Sequence, residues 1–348
     1  MRKSIVFLSL AVVVLLAVPP RDGQAEVVIE TVYVGNPGNP GELSGAGAGG
    51  YGSDAIVGSV DYPYWIGKYG VTNTQYTEFL NAVAATDTYG LYNTDMWSII
   101  YGCQIERTGS SGSYTYTVAA DRANRPVNYV SWGDAARFAN WLHNGQPTGA
   151  QGLSTTEDGA YFLNGATNQS ALMAIMRQSD ATWFLPTENE WYKAAYHKND
   201  SITGNYWDYP TASDSEPSND LINPDPGNNA NFADYSGLTI GGPYYTTVVG
   251  EFENSESPYG TFDQGGNLLE WNETAIHAGL TRGLRGVSWA QGLGYSRASV
   301  RNSDLPMNEN EITGFRVASV PEPGSITLLV CGAVGLLAFA WRRRRRAA

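Results

Sequence analysis

The sequence predicts a single α+β domain on three observations: three helix starts with one spacing of capping residues, short aromatic strand-like runs, and long loop-like stretches between them. Thr72-Asn73-Thr74-Gln75, Ser131-Trp132-Gly133-Asp134 and Thr187-Glu188-Asn189-Glu190 each place a hydroxyl three residues before an amide or acid. At that spacing the two side chains cap each other's backbone donors. Tyr76, Phe79, Leu80 and Val83 follow the first at helical intervals, which predicts a helix from about Asn73 to Ala84. Trp132, Ala135, Ala136, Ala139 and Leu142 give the second its apolar face. Phe184-Leu185-Pro186 precedes the third, and a proline there stops the incoming strand. Glu188, Glu190 and Asp134 therefore read as caps. No internal repeat divides the 348 residues.

Taken in order, residues 1–25 read as a secretory signal peptide, with Arg2 and Lys3 ahead of an apolar run. Residues 26–60 are a Gly-rich lead-in that reads as a strand and a long loop, or equally as a flexible arm. GAGAGG within it lacks the strand and helix context of a phosphate cradle. YPYWIGKY at Tyr62–Tyr69 reads as a strand. An insertion at 145–182 reads as a two-stranded hairpin, Gly159–Gly165 with Met173–Met176. Residues 199–257 are loop-like and rich in oxygen ligands, and a loop this long signals function or a bound ion. No EF-hand spacing occurs there. Glu270 stands between Leu269 and Trp271; it is either an outward acid on a strand edge or a buried one that needs a cation, a metal or several donors. Residues 321–348 run Pro-Glu-Pro, an apolar helix expected to span a membrane at 325–341, and five arginines that stay cytoplasmic and leave the body outside.

The chain has 21 basic and 34 acidic side chains. Eight of the basic ones lie in the two ends, so the body between them is the more acidic, near −20 by rough count. That charge excludes nucleic acid and anionic membrane as partners of the body. Cys331 falls in the apolar tail, which leaves Cys103 alone in the body and rules out an internal disulfide there. His143, His197 and His277 show no metal spacing, and no Gly-x-Ser-x-Gly elbow occurs. Acids are plentiful enough for a paired-carboxylate hydrolase, but no pair stands out.

Five segments in order carry a family resemblance: GVTNTQYTEFLNA, RPVNYVSWGDA, FLPTENEWYKAA, GNLLEW, and RGVSW with GFRVA. They resemble the elements of the formylglycine-generating enzymes, or sulfatase-modifying factors, across a domain set at 61–320. The resemblance implies a C-type-lectin-like fold: a twisted, mostly antiparallel core, surrounding helices and many irregular loops. It also implies structural calcium at Asp263, Gly266, Leu268 and Glu270, and a second site that includes Asn231 and Phe232. The catalytic members use two cysteines after the tryptophan of RGGSW to bind copper. Gln291 falls on the first, and Ser296 or Tyr295 lies nearest the second. Neither an amide nor a hydroxyl replaces a thiolate as copper ligand. Copper and formylglycine formation are therefore not expected.

The C-terminal order is similar to the PEP-CTERM sorting signal, which implies processing by an exosortase-type protease and a transient anchor in the inner membrane. The expected protein is exported, at the cell surface or outside it, and serves as a non-catalytic binding or structural module for an extracellular polysaccharide or surface protein. The rival is an enzyme, either a formylglycine generator or one with another metal-assisted activity. A ligand cleft is expected at Ser288, Trp289, Gln291, Arg297, Arg301 and Asn302, where arginine and tryptophan suit a carboxylate-bearing or sugar ligand. The same arginines, with Arg316, read equally well as core-edge residues paired with the chain's acids.

Overall fold

All three predicted helix starts are reciprocal caps in the computed structural model, which describes residues 26–98 and 100–320. Thr72, Ser131 and Thr187 accept from the backbone N–H three residues on, and Gln75, Asp134 and Glu190 each accept from the cap's own N–H. The helices run Asn73–Val83, Trp132–His143 and Glu188–Tyr196. The expected leader at 1–25 and the apolar span at 325–341 lie outside the described residues. Among the described residues no helix is long and apolar enough to cross a membrane.

Aromatic side chains join the first two helices to the sheets. Phe79 and Phe138 meet edge to face at 5.3 Å, and Phe315 meets Phe138 in the same way at 5.4 Å. Such offset contacts add to the area that the rings bury.

Two four-stranded sheets flank this core. In one, Thr31–Val34, Tyr64–Gly67, Ala318–Ser319 and Trp183–Phe184 lie side by side, all antiparallel. In the other the order is Asn302–Asp304, Thr281–Arg285, Leu269–Ile276, Thr313–Phe315, and only the last pair is parallel. The mostly antiparallel expectation holds. The lead-in belongs to the fold, since Thr31–Val34 is an edge strand and Glu42–Ser44 pairs with Ala55–Val57. Its glycine density has a local reason at Gly50, where a Cβ would meet the Ser299 carbonyl oxygen at 2.1 Å.

The insertion is not the expected hairpin. Tyr161 and Arg177 form a lone bridge, and Gln169–Ala174 is a short helix capped by Asn168. The reason lies on the Trp132–His143 helix, whose polar face is buried against this loop. Arg137 holds Glu157 at 2.7 and 3.1 Å, and Asn140 bonds Thr156 O, Tyr161 O and Tyr161 N. With those backbone groups satisfied by side chains, no cross-strand ladder is required.

The 199–257 region is ordered by a similar device. Asp225 accepts from Asn229 Nδ2, Ser255 Oγ and the Gly227 and Asn254 N–H groups. One buried carboxylate thus gathers both halves of the loop.

Candidate functional site

Glu270 sits on an inner strand, opposite Arg285 on one side and Gly314 on the other, and is 4% exposed. It is not an edge acid. Arg316 supplies the cation that burial requires, with Nε 2.5 Å from Oε2 and Nη2 2.7 Å from Oε1. Trp191 Nε1 adds a third donor at 2.7 Å. Arg316 also donates to the Gly67 and Phe262 carbonyls, so this pair ties the two sheets to the loop before Gly266.

Asp263, Gly266, Leu268 and Glu270 line one small cavity with Asn267 and Gly70. Asp263 accepts from Gly250 N at 2.8 Å and Asn267 Nδ2 at 3.2 Å, and forms no ion pair among the described residues. Burial pushes its carboxyl up to about 6. Asn231 lines the adjoining recess with Asp263 and Gly266. Its Nδ2 donates to Tyr245 O and Asn267 Oδ1, which leaves Oδ1 buried without a donor. Phe232 O, by contrast, already accepts from Asn219 Nδ2 and Thr239 Oγ1.

A buried acid without a cation and an orphaned amide oxygen beside it are oxygen donors that fit a hard cation. Among the described residues no three His, Cys, Asp or Glu side chains cluster, so backbone carbonyls have to complete any such shell.

A sulfatase-modifying factor enzyme 1-like domain matches residues 55–320, most of the chain. The chain belongs to that family. A PEP-CTERM protein-sorting motif matches residues 319–345 and supports export of this sulfatase-modifying-factor domain. No curated protein matches the sequence. Among solved structures, 84% of the chain matches 99% of CarF at 19% identity with a TM-score of 0.50. It likewise matches 95% of Treponema denticola variable protein 1, with 84% of this chain covered, 20% identity and a TM-score of 0.51. At these identities the likeness concerns the fold, which is the α+β arrangement expected of the family.

Gln291, expected to fall on the family's first redox cysteine, accepts through Oε1 from Ser288 N and Oγ at 3.1 and 3.2 Å. Ser296 Oγ donates to Leu293 O, and Tyr295 is exposed. Cys103 is buried, and burial pushes its thiol up to about 12. Among the described residues the one cysteine is thus held as a thiol, away from reactive thiolate form.

The six residues of the expected cleft do not form one recess. Arg301 is buried, with Nη2 2.6 Å from Glu188 Oε2 and further bonds to Ser53. Glu188 also takes Arg285 at 2.7 Å, so it anchors two arginines and is more than a helix-start acid. Arg297 is a surface residue paired with Glu216 at 2.9 Å and bonded to Tyr209. Asn302 lies in a strand opposite Leu284, with its Nδ2 buried and unpartnered. Ser288, Trp289 and Gln291 remain together.

Trp289 reveals two residues that sequence reasoning missed. Tyr101 stacks on it at 5.5 Å and Tyr245 packs at 4.6 Å, with the two tyrosines 5.1 Å apart. Tyr101 is 41% exposed, so this three-ring cluster has an open face. Both tyrosines sit in loops without periodicity, and no local signal in the sequence marks them.

Proposed function

We propose that this domain is a non-catalytic recognition module presented outside the cell, with the cluster of Tyr101, Tyr245 and Trp289 as its ligand face. The observation that carries this reading is the amide of Gln291 folded onto Ser288, with the only cysteine of the described residues held as a buried thiol. Copper-dependent oxygen chemistry depends on accessible thiolates, which this arrangement does not supply. Three packed rings with one exposed face suit the apolar face of a sugar, so the proposed partner is an extracellular polysaccharide.

Calcium is proposed as a structural ion at Asp263, Glu270 and the Gly266 and Leu268 carbonyls, with Asn231 Oδ1 pointing to a second. It would supply positive charge and a cross-link between loops, and no chemistry. The sorting motif supports processing by an exosortase-type protease, with the helix expected at 325–341 as a transient anchor. The body is then left at the surface or outside.

Two measurements test the reading together. The purified protein is assayed for retention on a panel of neutral and acidic polysaccharides, and for aldehyde formation on a cysteine-containing sulfatase-type peptide with copper. Retention that Tyr101→Ala weakens about tenfold, with no aldehyde, is expected. Aldehyde formation would overturn the non-catalytic reading.

A further inference from the structure

Most arginines of this domain are matched to acids. Arg107 pairs with Asp87, Arg137 with Glu157, Arg177 with Glu190, Arg285 and Arg301 with Glu188, Arg297 with Glu216, and Arg316 with Glu270. Arg282 has no acid among the described residues; it lies over Trp132 and donates to the Glu273, Leu172 and Ile175 carbonyls, with its Nε buried and unpartnered.

Arg122 and Arg125 stand apart. Neither forms an ion pair among the described residues, and both guanidiniums lie over one ring, that of Tyr244, at 4.7 and 4.1 Å. Arg122 donates to the Gly102 and Pro243 carbonyls, and Arg125 to the Asp121 and Thr246 carbonyls. Of the acids nearby, Asp121 is engaged by the Tyr244 hydroxyl, and Glu251 acts on Arg125 only through its field. Burial lowers both arginines below their ordinary range, and for Arg125 the charge of Arg122 adds to it. Two like charges held together, partly desolvated and without a counter-ion, are unfavourable on their own.

The same two groups retain donors. Arg122 Nε and Arg125 Nη2 carry no hydrogen bond from the described residues, and neither is among the fully buried polar atoms without a partner. Arg122 and Arg125 keep 5% and 9% of their surface exposed. Their place in the fold is also informative. The backbone they grip, Gly102 and Pro243–Thr246, directly adjoins Tyr101 and carries Tyr245, two of the three rings around Trp289.

We propose that Arg122 and Arg125 form the acid-recognising half of the ring-cluster site, which accepts a sugar unit bearing one carboxylate or sulfate. This rests on the recognition reading above and narrows its ligand class. The guanidiniums bind the acidic group by charge-assisted hydrogen bonds while the sugar face lies on the rings. The acidity of the surrounding body disfavours densely charged polyanions, so saccharides with isolated acid groups are the ligands that fit.

The test is calorimetric titration of the intact protein with methyl glucoside, methyl glucuronide and glucose 6-sulfate at low and high salt. The two acidic sugars are expected to bind about tenfold tighter than the neutral one, as one or two charge-assisted bonds allow. The advantage should shrink as salt rises, and the order of the two acids tells carboxylate from sulfate. Arg125→Gln should bring the acid-to-neutral ratio to about one, and Tyr101→Ala should weaken all three by stripping the shared stacking surface. Equal affinity of the unaltered protein for all three sugars overturns the acidic subsite whatever the variants do, and leaves the recognition reading standing. Polysaccharide retention in the panel together with binding of none of the three sugars also overturns the subsite.

Discussion

Arg301 and Glu188, 113 residues apart, face each other through bonds of 2.8 Å from Nε and 2.6 Å from Nη2. Arg285 approaches the same carboxylate from the neighbouring strand at 2.7 Å. One acid at the start of a helix thus joins that helix to two segments of the second sheet. Removing Arg301 leaves Glu188 paired with Arg285 but strips the buried Oε2 of its donor.

Arg301→Ala should therefore cost stability and not recognition. A loss of about 1–3 kcal/mol in urea unfolding is expected. A loss under about 1 kcal/mol would mean that the pair is as weak as a surface bridge.

Asp263 gives the calcium-free protein a pH dependence of defined sign. Its folded value, about 6, lies above the ordinary 3.8, so the folded state holds the proton more tightly than the unfolded chain. This contribution is present at low pH and is lost as pH rises through about 6. In chelator, stability should increase from pH 7 to about 4.5, by roughly 2 kcal/mol from this group. Asp134 and Glu309 are also raised, to about 6 and about 8, and slope the same way. The quantity to read is the difference between the parent and Asp263→Asn, and identical pH profiles for the two would remove the assignment.

Calcium should abolish the same penalty at neutral pH. A concentration one hundred times Kd is expected to add about 2.7 kcal/mol, and chelator to reverse it. Thermal unfolding at pH 7 with and without calcium is the measurement, and Asp263→Asn should blunt the response. A midpoint indifferent to calcium in the parent protein would dispose of the ion.

Gly266→Ala probes the geometry around Asn231. A Cβ at this position would meet Asn231 N at 2.6 Å and O at 2.7 Å, both backbone atoms that cannot swing away. A destabilisation of about 1–3 kcal/mol is expected, the usual range for an overpacked site. Unfolding by denaturant reads it, and a neutral result would show that the Asn231 loop can yield.

Cys103 should be silent in the native state. With a thiol pushed up to about 12, the thiolate needed for alkylation is rare at pH 8. Iodoacetamide labelling followed by mass spectrometry should therefore require denaturant. Rapid labelling of the folded protein would place the sulfur at the surface and reopen the question of metal binding.

Much of the fold could be read from residues a few positions apart. Thr72 with Gln75, Ser131 with Asp134 and Thr187 with Glu190 are local pairs, and their helices begin where the spacing says they should. The insertion was misread because its organiser is remote: Arg137 and Asn140 sit on a helix that the loop has to find before its backbone is satisfied. The two readings of the expected cleft's arginines divide on a related point. Arg301 has the right chemistry for a ligand, but a distant glutamate reaches it first.

By itself the sequence determined the family, three helix starts, that no cysteine lies between Trp289 and Val320, and that Glu270 would need a partner if buried. Only the tertiary structure decided that this partner is Arg316, that Asp263 is left without one, and that Tyr101 and Tyr245 close on Trp289. Capping and residue identity are set within a turn of chain. Charge pairing and ring stacking depend on which remote segments the packed core brings to contact distance, and no local spacing encodes that.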